Sequence, residues 1–271
     1  DAMESRGLGD VYKRQKFSND NQLLIVYSDI SKLKTLEKMR EDFIGNVSHE
    51  LRTPISVIKA NSETLLSTKL IKDENAINFT KAIQSQSERM ATIVNELLSI
   101  SSMESGDYPI SLDKLNIKNI VDSAIKELNP MTESSNIKLV NKISDITHII
   151  GDESAIKIII SNYITNAIKH SPDDEIIEID NEKIDKDFCR IKVIDNGIGI
   201  AKKYRERVFE RFFRVDKGRS KKIGGTGLGL SISKNLALMM GYSVGVESNE
   251  PKGSIFYIDV KIHQETSKEV A

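Results

Sequence analysis

Residues 43–56 read FIGNVSHELRTPIS, and how this stretch is read decides the fold. Its composition is helical, and Ile44, Val47, Leu51, Ile55, Ile58 and Leu65 recur at helical spacing as one apolar stripe. At about 100° per residue, His49 lies roughly 200° round from both Val47 and Leu51 and so points off that stripe. A satisfied core histidine is thereby excluded. A plain surface histidine and an exposed reactive one both remain open. Glu50, beside it, can hydrogen-bond one ring nitrogen, fix the tautomer and leave the other nitrogen nucleophilic. Pro54 removes a helical hydrogen bond and permits a bend one turn beyond His49. Thr53 falls on the same exposed side as His49 and Glu50, where its hydroxyl can position a water.

Working outward, Leu33, Leu36 and Phe43 extend the helix upstream, so residues 32–68 are expected to be helical. A second helix is expected over 73–102, with Ala76, Phe79, Ile83, Met90, Ile93, Leu97 and Ile100 in a heptad pattern interrupted at Gln86. The short STKLIKDE connection makes the two helices antiparallel neighbours. Two helices bury little alone, and a second copy completing a four-helix bundle is the economical solution. Before the first helix, QLLIVYSDIS (22–31) reads as one strand. Residues 1–15 show neither helical nor strand periodicity and are set apart as a non-native leader. The chain begins at Asp1, and the expectation is a fragment whose upstream segments are missing.

Bulk properties exclude several classes. Lys and Arg number 39 against 40 Asp and Glu, a net charge of −1, which gives no argument for nucleic acid or an anionic membrane as partner, and no nucleic acid is expected. The single cysteine, Cys189, forbids an internal disulfide and fits a reducing compartment. No apolar run approaches the ~20 residues that span a bilayer.

Beyond the break at Ser105-Gly106, a helix is expected over 117–128, stopping near Pro130. Strand pieces follow at 137–143 and 149–150, and Asp152 can cap a helix reaching about His170. Strands at 175–180 and 188–195, a helix at 230–240 and a last strand at 253–262 complete an α+β pattern without regular βαβ alternation.

This second half carries polar motifs. In NYITNAIKHS, Asn162, Asn166, Lys169 and His170 can share one helix face, either as a solvated surface or as amide oxygens for Mg²⁺ and a cation for phosphate. DNGIGI places Asp195 at a strand end, where it can accept from an adenine amine while Gly197 and Gly199 let backbone approach the base; a simple turn looks the same. GGTGLGL (224–230) enters a helix directly, and its N–H groups can cradle phosphates, although a flexible loop is indistinguishable by pattern. It lacks the Gly-Lys-Ser/Thr of a Walker loop. Between them, Phe209, Phe212 and Phe213 can anchor a mobile lid bearing Lys217, Arg219, Lys221 and Lys222.

FIGNVSHELRTP resembles the H-box of two-component sensor histidine kinases. The asparagine helix, DNGIG, FERFFR and GGTGLGL succeed one another as the N, G1, F and G2 boxes of that family, and PKGSIF (251–256) resembles a weak terminal glycine box. The resemblance spans roughly residues 31–262. It implies a dimerisation hairpin followed by an ATP-binding domain of the GHKL type, an α/β sandwich with a mixed sheet. It implies His49 as phosphoacceptor, Glu50 as its general base and Thr53 as part of an E-x-x-T phosphatase motif. ATP is implied at Asn162, Asn166, Lys169, His170, Asp195, Gly197, Gly199, Ile200, Gly225, Thr226, Gly227, Leu228, Gly229 and Leu230, with Mg²⁺ at Asn166 and Asn162.

Two departures from the family pattern stand out. His170 occupies a place that is often aromatic, and GYSVGVES (241–248) lacks the usual paired-glycine turn. The expected organisation is a leader (1–15), the close of a PAS-like sensor (16–30), the phosphotransfer hairpin (31–104), a linker (105–116), the ATP-binding domain (117–265) and a tail (266–271). The expected activity is ATP-dependent phosphorylation of His49 and transfer to an aspartate of a response regulator, with phosphatase activity toward it. The expected setting is the cytoplasmic portion of a membrane sensor, reaching the membrane only through missing upstream segments. A GHKL ATPase or serine kinase is the alternative, but it leaves the His49 hairpin unexplained.

Overall fold

The computed structural model describes residues 10–16, 23–29, 31–67, 73–133, 135–143, 148–215 and 225–263. They divide into two compact units, Asp1–Met90 and Ala91–Ala271.

In the first unit, β1 (Asp10–Lys16) pairs antiparallel with β2 (Leu23–Asp29), from Asp10 opposite Asp29 to Lys16 opposite Leu23. β2 answers the expected strand. β1 takes in residues 10–15, whose sequence shows no strand periodicity. Ladder bonds join main-chain groups, so a run as polar as VYKRQK can pair without side-chain alternation.

α1 (Ser31–Ser67) follows, then α2 (Asp73–Ser105), which continues into the second unit. An ion pair links Glu50 of α1 to Arg89 of α2. Glu50 lies 17 residues before the end of α1 (67 − 50) and Arg89 lies 16 after the start of α2 (89 − 73), as an antiparallel hairpin requires. The single stripe expected on α1 divides in two. Val47, Leu51, Ile58 and Leu65 are half-buried and Pro54 is buried, whereas Ile44 and Ile55 are 55% and 49% exposed. One neighbouring helix covers only one side of so wide a stripe.

In the second unit, α2 contributes the buried Ile93, Ile100 and Met103 and ends at Ser105, before Gly106 with φ +80. β3 (Asp113–Asn116) was expected to be linker, yet it pairs antiparallel with β5 (His148–Gly151). α3 (Ile117–Thr132) starts on an Asn116 cap and runs through Pro130 instead of stopping before it. A proline so near the C-terminal end forfeits one hydrogen bond and no more. α4 (Glu153–His170) is capped as expected by Asp152, whose carboxylate accepts from the Ala155 N–H at 2.9 Å.

β4 (Lys138–Asn141), β6 (Ile176–Lys183), β7 (Phe188–Asp195), β8 (Ser243–Ser248) and β9 (Ser254–Lys261) form one sheet in the order β4-β6-β7-β9-β8. β4 and β6 run parallel and the other neighbours antiparallel, so the sheet is mixed. One sheet face presents Ile177, Ile179, Ile191, Val193, Phe256, Ile258 and Val260 to the core. α4 answers with Ile156, Ile159, Ile160, Tyr163 and Ile164, all wholly buried. Each such isoleucine is worth about 1.5–3 kcal/mol of burial, so this layer contact anchors α4 firmly. α5 (Gly229–Met239) packs beside α4, with Leu236 and Ala237 buried. On the opposite sheet face, Arg190 pairs with Asp259 at 2.7 Å and lies 3.5 Å over the Tyr257 ring.

Candidate active site

On the hairpin, His49 lies within α1, and its side chain is outside the described residues. Thr53 is exposed on the same helix. Glu50 departs from the expected shared exposed side. Its carboxylate turns inward and accepts a hydrogen bond from Arg89 Nη2 at 3.0 Å, with 17% of the side chain exposed. An angular wheel cannot see this, because it has no partner helix to offer the carboxylate a cation.

In the second unit, the C-terminal half of α4, the end of β7, the start of β9 and the loop entering α5 surround a cavity of about 620 Å³. Core packing of α4 leaves its other face to line this space with Asn162, Asn166, Lys169 and His170, all half-buried. Asn162 donates from its amide nitrogen to the Gly229 carbonyl at 3.0 Å and to Ser233 Oγ at 3.1 Å. Its amide oxygen is thereby fixed as the remaining ligand atom.

Asp195 ends β7 at the floor, 3% exposed. Its Oδ1 accepts from the Gly197 N–H at 2.8 Å and the Ser254 N–H at 3.1 Å. Both bonds fall on one oxygen, so the carboxylate is held rigidly with Oδ2 left to accept from something in the cavity. Burial pushes its pKa up, against the pull of the two backbone N–H groups. Asn249 braces the same corner, donating to the Asp195 carbonyl at 2.9 Å.

Gly197 supports the site without lining it. A Cβ there would lie 2.5 Å from the His170 carbonyl, so only glycine lets the loop close on α4. Gly199 and Ile200 line the cavity, as do Gly225, Thr226, Gly227, Gly229 and Leu230. Leu228 does not: it is wholly buried and belongs to the core. Gly227 adopts φ +75 and its carbonyl accepts the Phe212 N–H at 2.8 Å, tying the phenylalanine box to the glycine loop. Arg214 donates to the Gly225 carbonyl. Phe209 is buried edge-on to Phe256, ring centroids 6.4 Å apart, while Phe213 lines the cavity. The lid cations Lys217, Arg219, Lys221 and Lys222 lie outside the described residues, as does Gly224.

Thr92 and Glu96 of α2 also line the cavity, which sequence reasoning missed. Glu96 stands among apolar heptad positions and carried no local signal. Burial pushes its pKa up, outweighing a hydrogen bond to Thr226 and the Lys169 charge. Its Oε2 is buried and has no hydrogen-bond partner among the described residues. Ser254 was also missed as a site residue, although it lies within the quoted PKGSIF.

Two family models match the chain. Residues 39–106 match the His Kinase A (phospho-acceptor) domain and residues 151–264 the histidine kinase-, DNA gyrase B- and HSP90-like ATPase. The sensor-like histidine kinase SenX3 of Mycolicibacterium smegmatis is 35% identical over 244 residues, covering 89% of this chain and 63% of its own length. WalK from Bacillus subtilis is 33% identical over 262 residues, covering 94% of this chain and 42% of its own length. The full-length ShkA structure in complex with AMPPNP superposes with a TM-score of 0.62 at 25% identity, over 83% of this chain and 47% of that one. The structure of histidine kinase ThkA with response regulator protein TrrA shares the fold, with a TM-score of 0.65 at 20% identity over 97% of this chain and 78% of that one.

Proposed function

The chain belongs to the two-component sensor histidine kinases, and from that membership we propose that it phosphorylates His49 from ATP and passes the phosphoryl group to an aspartate of a response regulator. One observation carries this reading. A single chain joins a helix bearing His49 and Glu50 to a nucleotide-sized cavity floored by a rigid, buried carboxylate. In that cavity Asp195 Oδ2 accepts from the adenine amine, and Lys169 faces the phosphates. Asn166 lines the space, and Asn162 offers its amide oxygen. These neutral hard oxygens fit Mg²⁺ completed by phosphate and water, and the ion would neutralise charge on the transferring group. Among the described residues no cluster of three His, Cys, Asp or Glu side chains competes for that role.

For transfer, an unprotonated ring nitrogen of His49 forms a bond to the γ-phosphorus as the bond to the ADP oxygen breaks. The Glu50 carboxylate takes the proton from the other ring nitrogen. Attack by an aspartate of the regulator then releases His49. The exposed Thr53 orients a water for later hydrolysis of the aspartyl phosphate. Two copies joined through the hairpin cover the exposed Ile44 and Ile55. No helix among the described residues is long and apolar enough to cross a membrane.

Incubation with γ-labelled ATP and Mg²⁺ tests the reading. Acid-labile, base-stable label is expected on the parent chain and none on His49→Gln, with nucleotide binding retained by both. Acid-labile label persisting in the variant would overturn the assignment.

A further inference from the structure

Glu50 stands one turn before Pro54 in α1. Pro54 has no N–H to offer the Glu50 carbonyl four residues before it, so the α1 ladder lacks a bond at this residue. A base mounted on such a segment needs a second restraint to hold its carboxylate in one place. The structure supplies one from the facing helix: Arg89 Nη2 lies 3.0 Å from Glu50 Oε2, 39 residues away in sequence. The pair is sheltered, with 26% of the arginine and 17% of the glutamate side chain exposed. Shelter weakens competition from water and salt relative to an exposed ion pair. Arg89 Nε is buried without a partner among the described residues, so the guanidinium commits itself to Glu50 through its outer nitrogen while leaving an inner donor unused. Packing satisfaction alone is a poor explanation for that arrangement.

We infer that Arg89 is a positioning residue for phosphorylation of His49, fixing the orientation of the Glu50 carboxylate from across the hairpin. The inference rests on the kinase reading, in which Glu50 accepts the histidine proton. It makes the second helix part of the proton-transfer machinery, although nothing in the residues around Arg89 marks it as such.

The test is a double-mutant cycle on the full chain with MgATP, following initial rates of acid-labile label. Glu50→Gln should slow labelling by ~10²-fold or more, the usual contribution of a positioned base. Arg89→Met should slow it about tenfold at saturating ATP, with KM for ATP within about twofold of the parent, since only orientation of the base is lost. Arg89→Met added to Glu50→Gln should slow it no further. Arg89→Lys, which keeps the charge on a single shorter-reaching donor, should recover part of the rate.

An unchanged rate in Arg89→Met would overturn the role, and so would equal losses in the presence and absence of Glu50. A loss carried by KM would overturn it as well. If Arg89→Met loses helical circular dichroism, Arg89→Lys decides: a rate a few-fold below the parent that vanishes as a difference in the Glu50→Gln background supports the role, and a parental rate overturns it. Absence of label on the parent chain overturns the kinase reading itself, and this role with it.

Discussion

Asp195 spends one carboxylate oxygen on two backbone N–H groups and keeps the other for the cavity. The geometry predicts the consequence of changing it. Asp195→Asn replaces a charged acceptor by a neutral amide, removing about 1.5–3 kcal/mol of charge-assisted hydrogen bonding. ATP affinity by calorimetry should fall roughly 10- to 150-fold while the fold persists, and GTP, which presents a carbonyl at that position, should bind poorly to the parent. Glu96 acts in the opposite sense. Its carboxylate shares the Thr226 and Lys169 corner, where the proposed function puts the nucleotide phosphates. Glu96→Gln should tighten ATP binding by about 1 kcal/mol, roughly fivefold, at neutral pH, and the gap should close in acid, where the parent carboxyl takes up its proton. The sign for stability follows from burial. The folded pKa lies above the ordinary glutamate value of 4.5, so the folded state binds the proton more tightly than the unfolded one. The parent therefore loses stability as pH rises through that window, and the glutamine variant does not. Melting temperatures at acid and neutral pH should show the variant gaining on the parent as pH rises. DNGIGI singled out Asp195 at a strand end, and the family resemblance chose the adenine contact over a simple turn. Glu96 was invisible because its role comes from what packs against α2, not from its neighbours in sequence.

At the scale of elements, α1 sets two candidate site residues in different surroundings. Glu50 turns in toward Arg89 and Thr53 stays exposed. Thr53→Ala should therefore slow dephosphorylation of the phosphorylated regulator by roughly 10- to 100-fold, with labelling of His49 near the parental rate. The measurement is phosphate loss from purified phosphoregulator in the presence of ADP. Equal losses in both activities would mean that Thr53 only shapes the helix before Pro54. Strands show where local reading stops. β7 alternates cleanly, with Cys189, Ile191, Val193 and Asp195 inward, and was legible as a strand. β8 was not, because Gly245 interrupts it. In the fold, Tyr257 of β9 lies across that glycine, its hydroxyl oxygen 2.3 Å from where a Cβ would stand, and fills the space its side chain leaves. β3 was likewise lost in the linker, since its four residues become a strand only by pairing with β5.

At the scale of the whole molecule, α1 keeps Ile44 and Ile55 exposed and α2 adds Ile77 at 53% exposure. In the proposed dimer through the hairpin, these residues form the seam with the second copy. Ile55→Lys places a charge on that seam, with a penalty of at least ~2 kcal/mol per interface. Sedimentation should show a dimer for the parent and a dissociation constant raised about thirtyfold or more for the variant, with ATP binding unaffected. The helical repeat, the capping aspartate at position 152 and the run of asparagine and glycine motifs are properties of neighbours along the chain. They carry the hairpin and an α+β second half, and the family resemblance of the motifs adds the mixed sheet and most of the cavity lining. The inward turn of Glu50 toward Arg89, the entry of Glu96 into the cavity, the withdrawal of Leu228 into the core and the service of Gly197 as a spacer under His170 required the fold. Each depends on a contact between residues far apart in sequence, and a periodicity specifies which face a side chain takes but not what waits on the other side of it.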